Sequence, residues 1–290
     1  MTYGIAGNIR KEQLWDCIAR LIDYFGAHEI EWFLHEPLAR ALAGRQLLAA
    51  EEAQRRSTPD LAVRSDIILS IGGDGTLLNT AHSVKATGRP ILGINIGRLG
   101  FLTETDAANV IEAIGRLEAG RFSLQERTVI SVDHPDVGWA LNDVVISRSG
   151  STELIAVDVS VNGTPLNRYW GDGLIVATPT GSTAYSLAVG GPIVMPGSGV
   201  LIISPIAPHS LTVRPVVLPA SSVIEIRVHS DPDTCQLALD GRNRPEVTLD
   251  LPITVRKADH NIRLVTLPGS HYLHTLRSKL SWGHGPQQPQ

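Results

Sequence analysis

Two aspartates set between glycines mark the chemistry open to this chain. Asp74 lies in Gly72-Gly73-Asp74-Gly75-Thr76 and Asp172 in Gly171-Asp172-Gly173; the second loop continues through Thr178-Pro179-Thr180-Gly181-Ser182-Thr183-Ala184-Tyr185 to Pro192. Glycines beside a carboxylate let the backbone turn through dihedrals closed to other residues and bring its N–H groups close to a bulky anion. An aspartate among phosphates is electrostatically awkward unless it holds a metal ion or takes a proton. The other reading is a tight turn with a solvated aspartate. In the second loop the hydroxyls and N–H groups suit ribose, phosphate and amide partners, and Tyr185 can offer a ring to a heterocycle. The same residues suit a helix start capped by Ser182 or Thr183. Two such loops, far apart in the chain, predict one shared site.

Each loop needs a strand to hold it. Ile67-Ile68-Leu69-Ser70-Ile71 is a short apolar run of the buried-strand kind, and Thr76-Leu77-Leu78-Asn79 begins a helix. Strand, glycine-rich turn and helix put Asp74 at the carboxyl end of a strand, where open α/β sheets bind ligands and a helix N-terminus favours negative charge. Leu174 to Ala177 is the strand before the second loop. Asn142-Asp143 falls between Ala140-Leu141 and Val144-Val145-Ile146, which reads as one apolar strand. Two polar residues there demand partners, because a buried unpaired carboxylate is costly, unless they form a bulge or solvated turn.

The flanking pattern separates two regions. Tyr3 to Ala6 reads as a strand, and Leu14, Cys17, Ile18, Leu21, Ile22 and Phe25 recur at helical spacing up to Gly26. Ile30 to Leu34 is the next strand, Pro37 to Ala50 a helix, Glu51 to Asp60 a polar connection, and Ile91 to Ile94 another strand. Asp106 is expected to cap a helix that carries Val110, Ile111, Ile114 and Leu117 and ends at Gly120. This alternation predicts a Rossmann-like α/β domain with a parallel sheet over 1–122. Beyond it the period becomes two, with strands near 129–132, 140–146, 155–161, 174–177, 200–203, 223–228, 235–239 and 262–267, and turns at Asn162-Gly163 and Asp240-Gly241. A mostly-β domain is expected over 123–267. In the remaining 268–290, His271 to Leu280 reads equally as a helix or an extended return, and Gly283 to Gln290 as a disordered tail.

Composition bounds the partners. A chain of 290 residues with 43% hydrophobic content can bury two cores of about 100–150 residues each. Net charge −4 and pI ≈ 6.2 show no polyanion-binding signature, so nucleic acid is not expected. Cys17 and Cys235 form no CxxC and no framework, which suits a reducing cytoplasm. The N-terminus lacks a signal-peptide core, and no run approaches the roughly 18 apolar residues of a membrane span, so a cytoplasmic protein without a membrane partner is expected. The ten histidines form no convincing metal cluster; His271 and His274 read as a solvated pair and His209 as structural.

Gly72 to Thr76, Gly93-Ile94-Asn95-Ile96-Gly97-Arg98-Leu99-Gly100-Phe101-Leu102-Thr103, Asn142-Asp143, Gly171-Asp172-Gly173 and Thr178 to Pro192 together resemble the NAD kinases in order and separation. The weaker matches Pro208 to Leu211 and Arg214-Pro215 extend the likeness toward 220. The Gly72–Thr76 motif alone is also carried by diacylglycerol and sphingosine kinases, and 6-phosphofructokinases carry a relative of it; the segment from Thr178 to Tyr185 narrows the resemblance. It implies a site between the two domains and dimers or tetramers. It also implies phosphoryl transfer from ATP or polyphosphate to the 2′-hydroxyl of the adenosine ribose of NAD, with Mg²⁺ on the donor phosphates. On that likeness Asp74 accepts the hydroxyl proton, and Gly75 and Thr76 approach phosphates through their backbone. Phe101 stacks on adenine or belongs to ordinary core, Asn142 faces the adenine, Asp143 the ribose, and Asp172 the nicotinamide amide. Thr183, Ala184, Tyr185, Ser186, Leu187 and Ala188 line the dinucleotide, and Arg242 lies near it. The chain departs from the family pattern in having Asp143 where many members have Glu, Trp170 where a basic residue is common, and Ala188 where serine is common; Arg168 is a candidate to replace the missing cation. Two other readings stay open: a lipid kinase sharing the aspartate loop, and a non-catalytic NAD(H)-binding module.

Overall fold

A strand with apolar residues on both faces needs both faces covered, and Ile67–Gly72 is buried throughout, including Ser70, whose hydroxyl lies 2.9 Å from that of Thr80. In the structure, a computed structural model that describes residues 1–98, 100–133, 138–149, 153–230, 234–243, 247–248 and 252–282, this strand lies between two parallel neighbours. Tyr3–Gly7 pairs on one side and Ile91–Asn95 on the other, while Trp32–His35 and Ser57–Thr58 extend the sheet beyond Tyr3–Gly7. Thr105–Asp106 joins Ile91–Asn95 in parallel, and so does Leu264 of the returning chain, opposite Ile91. The helices Gln13–Ala27 and Val110–Glu118 turn Leu14, Cys17, Ile18, Leu21, Ile114 and Leu117 onto Ile5, Leu69, Ile71, Leu92 and Ile94 to form one core.

This first unit comprises Met1–Glu126 together with the chain from Ile262 onward, and Arg127–Asn261 forms the second. Three local expectations change in the first unit. The helix expected from Pro37 to Ala50 is two helices, Glu36–Gly44 and Ala50–Arg56, separated at Gln46, whose φ is +59°. The expected polar connection is therefore mostly helix. It is held by Glu51 and Glu52 in its first turn, Arg55 and Arg56 in its last, buried Ala53 and Arg56 stacked over Trp32. Asp106 does not cap directly: it sits in a strand and accepts the Asn109 N–H at 3.0 Å, and the helix begins at Val110. The segment from His271 to Leu280 resolves as helix, Tyr272–Lys279; the tail expected from Gly283 lies outside the described residues. Among the described residues no helix is long and apolar enough to cross a membrane.

The second unit is antiparallel. Gly173–Ala177 is central in its sheet, paired with Asp143–Arg148 and Val200–Ile206, and the sheet continues to Thr234–Leu239 and Val216–Pro219. A second set, Thr164–Gly171, Ile155–Val161 and Ile224–His229, supplies Val157, Tyr169 and Ile226 to a core shared with Val144, Leu174, Val176 and Leu201. Strand Gly173–Ala177 is apolar throughout because its other face is covered too, Ile175 and Ala177 packing with Val145, Ile202, Val189 and Val194. Val189 and Val194 belong to the chain after the hydroxyl-rich loop, so that loop is laid over the sheet. The turns Asn162-Gly163 and Asp240-Gly241 both have two positive φ values, as a two-residue hairpin turn requires. The strand expected over 140–146 is broken: Gly138–Ala140 ends, Leu141-Asn142 interrupts, and Asp143–Arg148 begins.

Candidate active site

In the first unit Asp74 is the first residue of helix Asp74–Val84, directly beyond strand Ile67–Gly72. Gly72 admits no side chain, since a Cβ there would overlap Thr76. The half-buried Asp74 carboxylate grips the loop after the neighbouring strand: Oδ2 accepts the Phe101 N–H at 2.8 Å and Oδ1 the Leu102 N–H at 3.0 Å. Gly100 permits this approach, because a Cβ there would overlap Oδ1. Each carboxylate oxygen has two lone pairs, so one backbone donor apiece leaves capacity for a further proton or hydrogen bond. Gly75 is exposed in the first helical turn, where backbone N–H groups have no partner within the helix. The Thr76 N–H is used within the turn and donates to the Gly73 carbonyl at 2.9 Å. The half-buried Phe101 ring lies 6.3 Å from the Tyr272 ring, and Lys279 Nζ sits over it at 5.3 Å.

In the second unit the break at Leu141-Asn142 is clamped from two sides. The Asp240 carboxylate accepts the N–H groups of Leu141 at 2.9 Å, Asn142 at 2.6 Å and Asp143 at 3.4 Å. Thr178 donates its N–H to the Asn142 carbonyl at 2.9 Å and its hydroxyl to the Leu141 carbonyl at 2.5 Å. The Asn142 side chain is left out of this network, and its buried Oδ1 has no hydrogen-bond partner among the described residues. Asp143 is 4% exposed. Burial and the neighbouring Asp240 carboxylate push its carboxyl up to about 7, against the effect of the Tyr185 backbone N–H, which donates to it.

The hydroxyl-rich loop spends its hydroxyls largely on itself. Ser182 donates to the Pro179 carbonyl at 2.7 Å and accepts the Val194 N–H at 3.1 Å; Thr183 donates to the Thr180 carbonyl at 3.4 Å. Neither caps the helix Tyr185–Ala188. Ser186 is fully buried with its hydroxyl 3.0 Å from that of Ser204, whereas Tyr185 and Ala188 are exposed and Thr183, Ala184 and Leu187 half-exposed. Asp172 Oδ1 lies 3.2 Å from Arg148 Nε, and the Asp172 carbonyl accepts the Arg148 N–H at 3.1 Å. Arg168, a sequence candidate for a substrate cation, is committed to Asp158 by two bonds of 2.5 and 2.6 Å. Trp170 is exposed, and Arg242 is half-buried just beyond the Asp240-Gly241 turn. Sequence reasoning missed Arg148 and saw Asp240 only as a turn residue. Among the described residues no group of three or more His, Cys, Asp or Glu is placed to hold a metal ion.

Comparison with known proteins covers nearly the whole chain. Residues 4–122 match the ATP-NAD kinase N-terminal domain and residues 141–267 the ATP-NAD kinase C-terminal domain. NAD kinase of Flavobacterium johnsoniae is 36% identical over 290 residues, covering 98% of each chain, and that of Koribacter versatilis 38% identical over 97% of this chain and 98% of its own. Two solved structures are similar at 26% identity. Yeast NADH kinase complexed with NADH superposes with a TM-score of 0.87, covering 100% of this chain and 90% of that one. An NAD kinase from Archaeoglobus fulgidus in complex with ATP superposes with a TM-score of 0.75, covering 97% of this chain and 99% of that one.

Proposed function

The chain belongs to the NAD kinase family, and on that premise we propose that Asp74 takes the proton of the attacking hydroxyl while residues of the second unit hold the dinucleotide. Its activity is transfer of phosphate to NAD; nothing in the comparisons favours a lipid kinase or a non-catalytic binder. One observation carries the residue assignment: Asn142 Oδ1 is a buried acceptor without a partner among the described residues, which is costly unless a ligand donor meets it. The exocyclic amine of adenine is such a donor. Asp143 then meets the adenosine ribose, held by the Tyr185 N–H, and Asp172, oriented by Arg148, meets the nicotinamide carboxamide. Thr183, Ala184, Tyr185, Leu187 and Ala188 line the ligand, with Ser186 supporting them from within the core and Arg242 alongside.

In the reaction, Asp74 accepts the 2′-hydroxyl proton as that oxygen bonds to the terminal phosphorus of ATP or polyphosphate. The bond from this phosphorus to its bridging oxygen breaks, and NADP and the shortened donor leave. A sugar hydroxyl is a poor nucleophile, and a positioned base contributes about 10²–10⁴ to such a step. The first-turn N–H groups at Asp74 and Gly75 favour the donor's negative charge. Mg²⁺ carried on the donor phosphates would neutralise their charge. The two buried free cysteines support a cytoplasmic setting. Exposed Leu166 and Trp170 on strand Thr164–Gly171 support a homodimer or homotetramer, which sedimentation would test.

The direct experiment crosses ATP and polyphosphate with NAD, NADH and diacylglycerol in the presence of Mg²⁺ and identifies the phosphorylated product. NADP from NAD is expected. Phosphorylated diacylglycerol, or no product from any pair, would overturn the reading.

A further inference from the structure

The turn at Asp240-Gly241 has a cost that an ordinary turn would avoid. A two-residue hairpin turn with positive φ at both positions is well served by Asn-Gly, and this chain uses Asn162-Gly163 for one. Asp240 adopts φ 51° in the same kind of turn, yet brings a second carboxylate beside buried Asp143 and raises the proton affinity of Asp143. An asparagine there would carry no charge. It would also present one acceptor oxygen and an NH₂ group, and an NH₂ cannot accept from a backbone N–H. Asp240 uses both oxygens, Oδ2 on Leu141 and Oδ1 on Asn142 and Asp143.

We propose that Asp240 is a positioning residue for NAD: by gathering these three N–H groups it fixes the backbone that aims the Asn142 carboxamide at the dinucleotide. Register brings it there. Leu239 pairs with Val144, and the Asp240 N–H donates to the Asp143 carbonyl at 3.1 Å, so the turn hangs over the break before strand Asp143–Arg148. From the other side, Thr178 takes the carbonyls of Leu141 and Asn142, and Gly181 packs so close that a Cβ would overlap the Asn142 carbonyl oxygen. Backbone donors and acceptors at Leu141-Asn142 are thus committed, while Asn142 Oδ1 has no hydrogen-bond partner among the described residues. The inference rests on the assignment of Asn142 to NAD.

The test is a double-mutant cycle on the full-length enzyme with Asp240→Ala and Asn142→Ala, reading kcat, both Michaelis constants, the Kd for NAD by calorimetry and Tm. Three part-buried backbone donors lose their acceptor, so Asp240→Ala is expected to raise KM and Kd for NAD about 10- to 100-fold with the donor KM within about twofold of wild type. In the Asn142→Ala background the same change should raise the NAD constants less than about threefold, because two residues acting as one unit are not additive. Equal costs in both backgrounds, or a lower Tm and kcat with an unchanged Kd for NAD, would overturn the positioning role. If Asp240→Ala does not fold, Asp240→Asn replaces it; it keeps one acceptor oxygen and should give a smaller rise in the NAD constants, and wild-type constants would overturn the inference. An Asn142→Ala enzyme with unchanged NAD constants would overturn the adenine assignment and this inference together. A raised constant there with additive costs would overturn the inference alone.

Discussion

The backbone N–H of Phe101 donates to Oδ2 of Asp74 at 2.8 Å, so the carboxylate of the glycine-rich turn is held by the loop that follows the next strand of the sheet. With Leu102 on the other oxygen, the side chain has one orientation before any ligand arrives. Pre-organisation of this kind spares a base the reorganisation that would otherwise accompany proton transfer.

Asp74→Asn should lower kcat by about 10²–10⁴, the usual worth of a positioned base. An amide keeps the size of the side chain and removes its proton affinity. NAD binding should change little. Steady-state rates beside calorimetry check this, and near-normal turnover would place the base elsewhere.

Gly100→Ala should harm the same step without changing the chemistry of the base, Asp74. Its Cβ would overlap Asp74 Oδ1 and approach Thr103 Oγ1 to 3.0 Å, so the carboxylate or its loop must shift. A displacement of about 1 Å costs on the order of 10²-fold in rate. The expected result is a kcat loss of that order with KM for NAD nearly unchanged, measured by initial rates; wild-type kcat would mean that Asp74 needs no fixed orientation.

Asp172→Ala should weaken NAD by about 1–3 kcal/mol, the cost of leaving a polar partner unpaired. Arg148→Gln should weaken it less, because Arg148 orients one oxygen, Oδ1, and the backbone bond at 3.1 Å survives. An acceptor fragment ending at the adenosine ribose should be nearly indifferent to both changes. Equal losses for NAD and for the fragment in titrations would mean that Asp172 acts through loop structure.

The buried Asp143 makes stability depend on pH with a definite sign. Its carboxyl is raised from 3.8 to about 7 by burial and Asp240. The folded protein therefore holds this proton where the unfolded chain has released it, and the contribution to stability is full below about pH 4 and is lost as pH rises to about 7. Asp143→Asn removes that titration. Melting curves of both proteins between those limits should show the variant gaining on the wild type as pH rises, with no further gain above; a constant gap would mean that Asp143 is ionised throughout.

Much of the scaffold could be read from the residues alone. Ile67 to Ile71, apolar but for Ser70, and Leu174 to Ala177 put apolar residues on both faces, which strands tolerate when both faces are covered, and both are. Asn162-Gly163 and Asp240-Gly241 announce positive φ and therefore hairpins. The motif order, read against known proteins, pointed to the family. Tertiary structure decided where the polar groups go. The hydroxyls of Ser182 and Thr183, legible as ligand donors, close their own loop; Arg168 is taken by Asp158; and Arg148 stands at Asp172 without a local signal. Asp240 reads as a turn until strand register carries its carboxylate to three N–H groups near residue 142. Periodicity and turn propensity are local, set by backbone sterics and by burial of apolar surface. A hydrogen bond between residues distant in the chain depends on which strands pair and at what offset, and that offset is fixed only when the whole sheet packs.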